Sequence, residues 1–260
     1  MTPSPARTFG WLAPEHIGRP RHLGTRIGPA SPLPTSVDLR ERMPEVYDQG
    51  GLGSCVAQAL AAGVEYLQRR LEVLDVIERP SRLALYFDAR AAIGSTAIDS
   101  GAIIADGIDA LRREGWAPEE LWPYDPAVFD CTPPAVVLVA GRSRRLVSAE
   151  PLAHDLDSLR WELASGHPIA AGVRVYAPFE QVGDDGLIPE PGGRYLGGHA
   201  VLLVGYDDAR GCFLLRNSWS SWWGDGGYGW IPYSYVLDPS ECGELHSLRA
   251  VRVLREGRAG

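Results

Sequence analysis

One thiol in this chain stands where nucleophilic chemistry could be done. Cys55 follows the run Gln49-Gly50-Gly51-Leu52-Gly53-Ser54, a glycine-rich loop, and after it Val56, Leu60, Val64, Leu67 and Leu71 recur about once per helical turn. The spacing predicts a helix that begins at the thiol, with Ser54 as its cap. A cysteine in that position feels the positive end of the helix dipole, which favours thiolate over thiol.

A thiolate becomes an acyl-transfer catalyst only with a base that can later protonate the leaving group, a residue that orients the base, and donors for the oxyanion. Of six histidines, His199 is the one in a suitable setting. Gly197 and Gly198 lead through it into Ala200-Val201-Leu202-Leu203-Val204, an apolar run that reads as a buried strand. A second apolar run, Phe213-Leu214-Leu215, ends at Arg216-Asn217-Ser218-Trp219. The Asn217 carboxamide oxygen can accept from a ring nitrogen of His199 and fix its tautomer. Gln49, six residues before Cys55, can aim an amide N–H at a developing oxyanion. The Cys55 amide, free at the helix start, would be the second donor.

These blocks resemble the papain-like cysteine peptidases: Gln49-Gly50 through Gly53-Ser54-Cys55, then Gly198-His199-Ala200-Val201 to Gly205-Tyr206, then Asn217-Ser218-Trp219 with Trp223-Gly224-Asp225-Gly226-Gly227-Tyr228-Gly229. His199 and Asn217 follow Cys55 by 144 and 162 residues, close to that family's spacing. Leu33-Pro34-Thr35-Ser36-Val37-Asp38 is similar to the start of its mature enzymes, so the likeness runs from about Leu33 to about Tyr235. The resemblance implies Cys55 as nucleophile, His199 as general acid/base, Asn217 as orienter and Gln49 as oxyanion donor. It further implies Trp219 as a shield over the Asn217–His199 bond and Ser100-Gly101 as substrate-binding positions; Gly198 and Trp219 are further candidates for binding substrate. The expected activity is thiol-dependent hydrolysis of peptide bonds, with a peptide or protein substrate and no cofactor. Two alternatives share the site: transfer of the acyl group to an amine, as in ligation or transglutamination, and a silent peptide-binding cleft. The family usually has a cysteine where this chain has Leu52 and an aromatic residue where it has Val56. The first change removes a disulfide that normally staples the active-site loop.

The elements that must position these groups divide the chain. Helical spacing predicts helices over 54–73, 81–92 and 102–114, followed by a proline-rich irregular connection and a basic surface turn at Arg142-Ser143-Arg144-Arg145. A helix over 155–165 then precedes strands at 168–175, 199–207, 212–217, 227–232 and 247–254. The expected class is α+β and two-lobed, with a helical lobe over 34–141 bearing the nucleophile. A strand-rich lobe over 142–260 bears the base, and the cleft lies between them. Residues 1–33 form an arm rich in Pro, Gly, Arg and His, open to three fates: disordered, wrapped on the domain, or lodged in the cleft with Phe9-Gly10-Trp11-Leu12 as anchor. Gly197, Gly198, Ala170, Ala171 and Gly172 suggest a roomy apolar pocket.

Composition narrows the classes further. A net charge of −8 offers no basic field for a nucleic acid. No apolar run approaches membrane-spanning length, and no hydrophobic signal core follows Met1, so the expectation is a cytoplasmic enzyme or one released by a route the sequence does not reveal. Cys131, Cys212 and Cys242 make no C-x-x-C pair, which speaks against a metal site and allows at most one disulfide besides a free Cys55. The aromatic group Trp219, Trp222, Trp223, Tyr228 and Trp230 reads as packing more than as a ligand platform.

Overall fold

The computed structural model describes residues 7–19, 24–26, 28 and 32–254; the first six residues, where a signal core was sought, and parts of the 1–33 arm lie outside it. In chain order the regular elements are β1 (Ser36–Asp38), α1 (Cys55–Leu71), α2 (Arg82–Ala91), α3 (Ile104–Arg113), α4 (Ala135–Gly141), β2 (Arg144–Pro151), α5 (Leu156–Ala164), β3 (Ile169–Tyr176), β4 (Tyr195–Asp207), β5 (Cys212–Arg216), β6 (Tyr228–Pro232), α6 (Tyr233–Leu237) and β7 (Cys242–Val253). Short 3-10 turns fill the connections. No described helix is long and apolar enough to cross a membrane.

The strands form one antiparallel sheet in the order β2-β7-β3-β4-β5-β6, with β1 added beside β4. Strand side chains alternate between faces, and β4 divides its apolar residues accordingly. Ala200, Leu202 and Val204 join the core under the helices, whereas Val201 and Leu203 join a second core with α5 and the aromatic residues Phe179, Trp219 and Trp223. Helix α1 is buried from Cys55 to Gln68. A helix buried on every side needs neighbours on every side, and α1 has α2 and α3 on one flank and the sheet on the other. At Gly63 a Cβ would lie 2.3 Å from Leu248 Cδ1, so the missing side chain lets helix and sheet close up. This packing fixes the N-terminus of α1, and with it Cys55, against β4.

The structure differs from the sequence expectation in four places. The proline-rich connection contains 3-10 turns and ends in α4. The basic cluster is no solvated turn: Arg144 begins edge strand β2 and is paired with Glu78 at 2.6 Å. Charged residues along β2 hide it from a hydrophobicity reading, because it pairs only with β7. Strands β4 and β7 begin earlier than their apolar runs, at Tyr195 and Cys242. Finally, β1 belongs to the helical half in sequence but pairs with β4, so the two halves are laced together.

Candidate active site

The site is assembled where the loop before α1 meets β4 and the segment after β5. His199 Nε2 lies 2.8 Å from Asn217 Oδ1, both residues fully or almost fully buried. Nδ1 of the same ring is buried without a hydrogen-bond partner. Trp219 stacks over His199 with centroids 4.7 Å apart, and Phe179 meets the ring edge-on. Gln49 is tied to the same segment: its backbone N–H donates to the Ser218 carbonyl, and Ser218 Oγ donates to Gln49 Oε1 at 2.7 Å. With Oε1 so engaged, Nε2 faces the loop before Cys55, where it donates one hydrogen to the Leu52 carbonyl at 3.0 Å and keeps the other for the cleft. The Cys55 sulfur lies among amide N–H groups, including that of Ala200 next to His199. Cys55, His199, Asn217 and Gln49, 168 residues apart at their extremes in sequence, thus form one cluster.

The cleft is filled by the chain's own arm. Gln49 Nε2 donates to the Thr8 carbonyl at 3.1 Å. Phe9 meets both His199 and Trp219 edge-on, and the Arg7 guanidinium lies 4.1 and 4.5 Å from the ring centroids of Trp219 and Trp222. Gly10 covers Cys55, where a Cβ on Gly10 would sit 1.9 Å from the Gly53 carbonyl oxygen. The Trp11 amide donates to Gly198 O, Leu12 N–H to Ala102 O, and Ala102 N–H to Gly10 O, a parallel pairing of arm and wall. Trp11 is buried, and further along Arg19 pairs with Asp106 at 2.6 Å while Thr25 bridges to Leu152. Of the three fates open to the arm, two are seen: residues 7–12 lie in the cleft, and Arg19 and Thr25 lie along the domain beyond it.

That occupancy reverses one sequence expectation. The thiol at the start of α1 is not held as thiolate: burial pushes Cys55 up to about 11, against the pull of the amide N–H groups of Ala200, Gly10, Val56 and its own. Burial likewise pulls His199 down to about 4, with the bond to Asn217 opposing and the charge of Arg7 assisting. The helix dipole acts over a single turn and is worth at most about 2 kcal/mol; complete loss of water at the sulfur outweighs it. Ser54 also departs from its expected role. It occupies the cap position, but its hydroxyl bonds to Tyr124 and Gln58 rather than to the helix amides.

Gly198 and Gly101 line the arm, and Gly101 has φ of +77° with its N–H on Tyr86 Oη. Ser100 does not reach the arm; its hydroxyl turns to Ser95 and to the Gly101 carbonyl. The backbone pairing comes one residue past the Ser100-Gly101 pair, from Ala102. The loop that lacks a cysteine at Leu52 is held by Asp99, whose carboxylate accepts from Gly53 N–H at 3.0 and 3.1 Å and from Tyr86 Oη. Sequence reasoning missed Asp99, since a lone carboxylate in a polar segment carries no periodic signal. Cys131, Cys212 and Cys242 form no disulfide, and among the described residues no group of three His, Cys, Asp or Glu could hold a metal ion.

The papain family cysteine protease domain matches residues 101–247. An uncharacterized peptidase C1-like protein of Acanthamoeba polyphaga mimivirus is 32% identical over 227 residues, which cover 83% of this chain and 72% of that protein. Xylellain, a cysteine protease from Xylella fastidiosa, superposes with a TM-score of 0.82 at 31% identity, covering 98% of this chain and 99% of that one. ProCathepsin B S9 from Trypanosoma congolense shares the fold, with a TM-score of 0.72 at 19% identity over 96% of this chain and 87% of that one. The architecture is therefore the α+β, two-lobed papain-like fold. The chain belongs to the papain family of cysteine proteases and is a thiol peptidase, a hydrolase whose substrates are peptides or proteins.

Proposed function

We propose that Cys55, His199, Asn217 and Gln49 carry out peptide-bond hydrolysis through an acyl-enzyme, and that residues 1–33 act as a short pro-segment holding the enzyme latent. The observation that carries the reading is the carbonyl of Thr8 on Gln49 Nε2, with Gly10 over the sulfur. A peptide already lies across the nucleophile with a carbonyl on the donor required for an oxyanion.

When the arm leaves, water and the amide N–H groups around Cys55 favour the thiolate, and His199 takes up the proton. The thiolate attacks the substrate carbonyl carbon, and the oxygen that gains charge is held by Gln49 Nε2 and the Cys55 N–H. Collapse of the tetrahedral adduct breaks the C–N bond as His199 gives its proton to the departing amine. Neutral His199 then removes a proton from water, which attacks the thioester and releases the acid with the thiol restored. Asn217 Oδ1 holds Nε2–H throughout, so that Nδ1 is the nitrogen that exchanges protons. Trp219 keeps water from that bond.

The test is active-site labelling of the full chain by a peptidyl epoxide, followed by mass mapping. Gly10→Ala cannot keep its place beside Gly53 and should label at Cys55 far faster than the wild type, with peptide turnover appearing in parallel. Cys55→Ala in that background should show no turnover. Absence of both labelling and turnover in Gly10→Ala would sink the reading.

A further inference from the structure

Beyond the Cys55 cluster the cleft continues into a pocket whose occupant is Trp11. Three glycines make its walls. A Cβ on Gly172 would lie 2.1 Å from Trp11 Cε2, one on Gly243 would lie 2.6 Å from Cη2, and one on Gly198 would lie 2.4 Å from the Trp11 carbonyl oxygen. Any side chain at these positions would take the space of the indole. The end of the pocket is polar: Trp11 Nε1 donates to Glu244 Oε2 at 2.8 Å. Glu244 is buried at 4% exposure, and its carboxylate also accepts from the amides of Ile104 and Ala105 at the start of α3, both at 3.1 Å, with His246 Nε2 3.6 Å away.

Resting on the peptidase reading above, we propose that this pocket selects substrates bearing a tryptophan side chain, and that Glu244 is the residue that makes the selection. The pocket adjoins the reacting groups, because Gly198, whose carbonyl holds the Trp11 amide, directly precedes His199. It is shaped for a bicyclic ring by the three missing side chains. Its polar end is an acceptor already held by two backbone amides and His246, so it rewards a single N–H donor. A phenyl or aliphatic side chain would leave a buried carboxylate short of a partner. A guanidinium or ammonium would lose its water in a glycine-walled cavity, opposite a carboxylate whose charge two amides already stabilise, and beside Arg174, which flanks the same region. The pocket is thus not the purely apolar one that the small residues of β3 and β4 suggest.

The experiment uses the full chain with Gly10→Ala and Trp11→Ala to vacate the pocket and Cys55→Ala to keep peptides intact. Acetylated peptides of alanine and glycine with one variable residue are titrated by calorimetry. The tryptophan peptide should bind about tenfold more tightly than its phenylalanine counterpart, the size of one hydrogen bond to a charged acceptor, and more tightly still than the leucine or arginine peptides. Glu244→Gln should bring tryptophan and phenylalanine within about threefold. Because Glu244 also caps α3, a second variant guards against misfolding: Gly172→Ala should lose the tryptophan peptide and spare smaller ones. Equal affinities, a preference for arginine, or no binding by any peptide would overturn the proposal. Turnover is read separately with Cys55 intact. Selective binding without turnover would remove the peptidase mechanism and leave the pocket assignment standing.

Discussion

The two ends of the cleft hold the arm in opposite ways. At the Trp11 end the arm's own polar groups find partners, indole N–H on carboxylate and backbone amides on carbonyls, with glycine walls against the ring. At the Cys55 end the fit leaves groups unpaired, including His199 Nδ1, Asn217 Nδ2 and Trp219 Nε1. The comparison teaches that grip and inhibition are separated. The indole anchor lies in the pocket, whereas what is blocked lies one residue along the strand, where Gly10 covers the sulfur. A segment built this way can be released by weakening one anchor without disturbing the reacting groups.

The sharpest way to break the comparison is to remove the anchor. Burying an indole is worth on the order of 4–6 kcal/mol, and truncation of a buried tryptophan costs about 3–5 kcal/mol. Trp11→Ala in the full chain should therefore raise the rate of Cys55 alkylation by iodoacetamide at pH 7.5 by a hundredfold or more. A rise below threefold would mean that the grip lies elsewhere. In that released background Gln49→Ala should lower kcat by about a hundredfold to a thousandfold, the loss expected of one oxyanion donor. A loss below threefold would remove Gln49 from the chemistry.

Acidity should separate the ends as well. His199 is pulled down to about 4 with the arm in place, so the arm-bound state resists a proton that the open state accepts. Its contribution to arm binding is full above the ordinary value near 6.5 and is lost as pH falls from there toward 4. Cys55, pushed up to about 11, acts in the opposite sense: its contribution is full below pH 9 and is lost as pH rises from 9 toward 11. The arm should be most firmly seated between about pH 6.5 and 9, loosening by up to about tenfold per pH unit on either side. Hydrogen exchange at the Trp11 and Leu12 amides, corrected for the intrinsic rate, measures this. Protection that stays flat from pH 7 to 4.5 would show that His199 is not sealed from water by the arm.

What could be read from the sequence follows the same division. The thiol, imidazole, carboxamide and glutamine announced themselves because each lies in a local block of fixed spacing, and helices α1, α2, α3 and α5 because their apolar residues repeat. Helix α1 begins at Cys55 itself, one residue from its expected start, and α3 ends at Arg113, one residue before its expected stop. The pocket announced itself only in part: small residues at its wall and an anchor at Phe9-Gly10-Trp11-Leu12 were expected, its polar end was not. Trp11, Gly172, Gly243 and Glu244 come from three distant segments, and only the registers of β3 with β4 and β7 bring them together. Nor could the sequence show that burial would override the helix dipole at Cys55, since desolvation depends on what covers the sulfur.

The smallest predicted effect concerns the brace that joins the two ends. Asp99 receives the Gly53 N–H of the loop before Cys55, and it also receives Tyr86 Oη, which in turn accepts the Gly101 N–H beside the arm-pairing residue Ala102. One carboxylate thus ties the nucleophile loop to the wall that leads to the pocket, at the loop where a disulfide-forming cysteine is replaced by Leu52. Asp99→Asn keeps an acceptor oxygen but loses its charge, exchanging charge-assisted bonds for neutral ones, a cost of about 1–2 kcal/mol. For a chain of this size that lowers Tm by about 2–8 °C. Because both walls loosen together, alkylation of Cys55 should quicken by no more than about tenfold, and the preference for tryptophan should weaken in step. A variant that lost thermal stability yet kept both cleft readouts unchanged would show that the loop and the pocket wall are held independently.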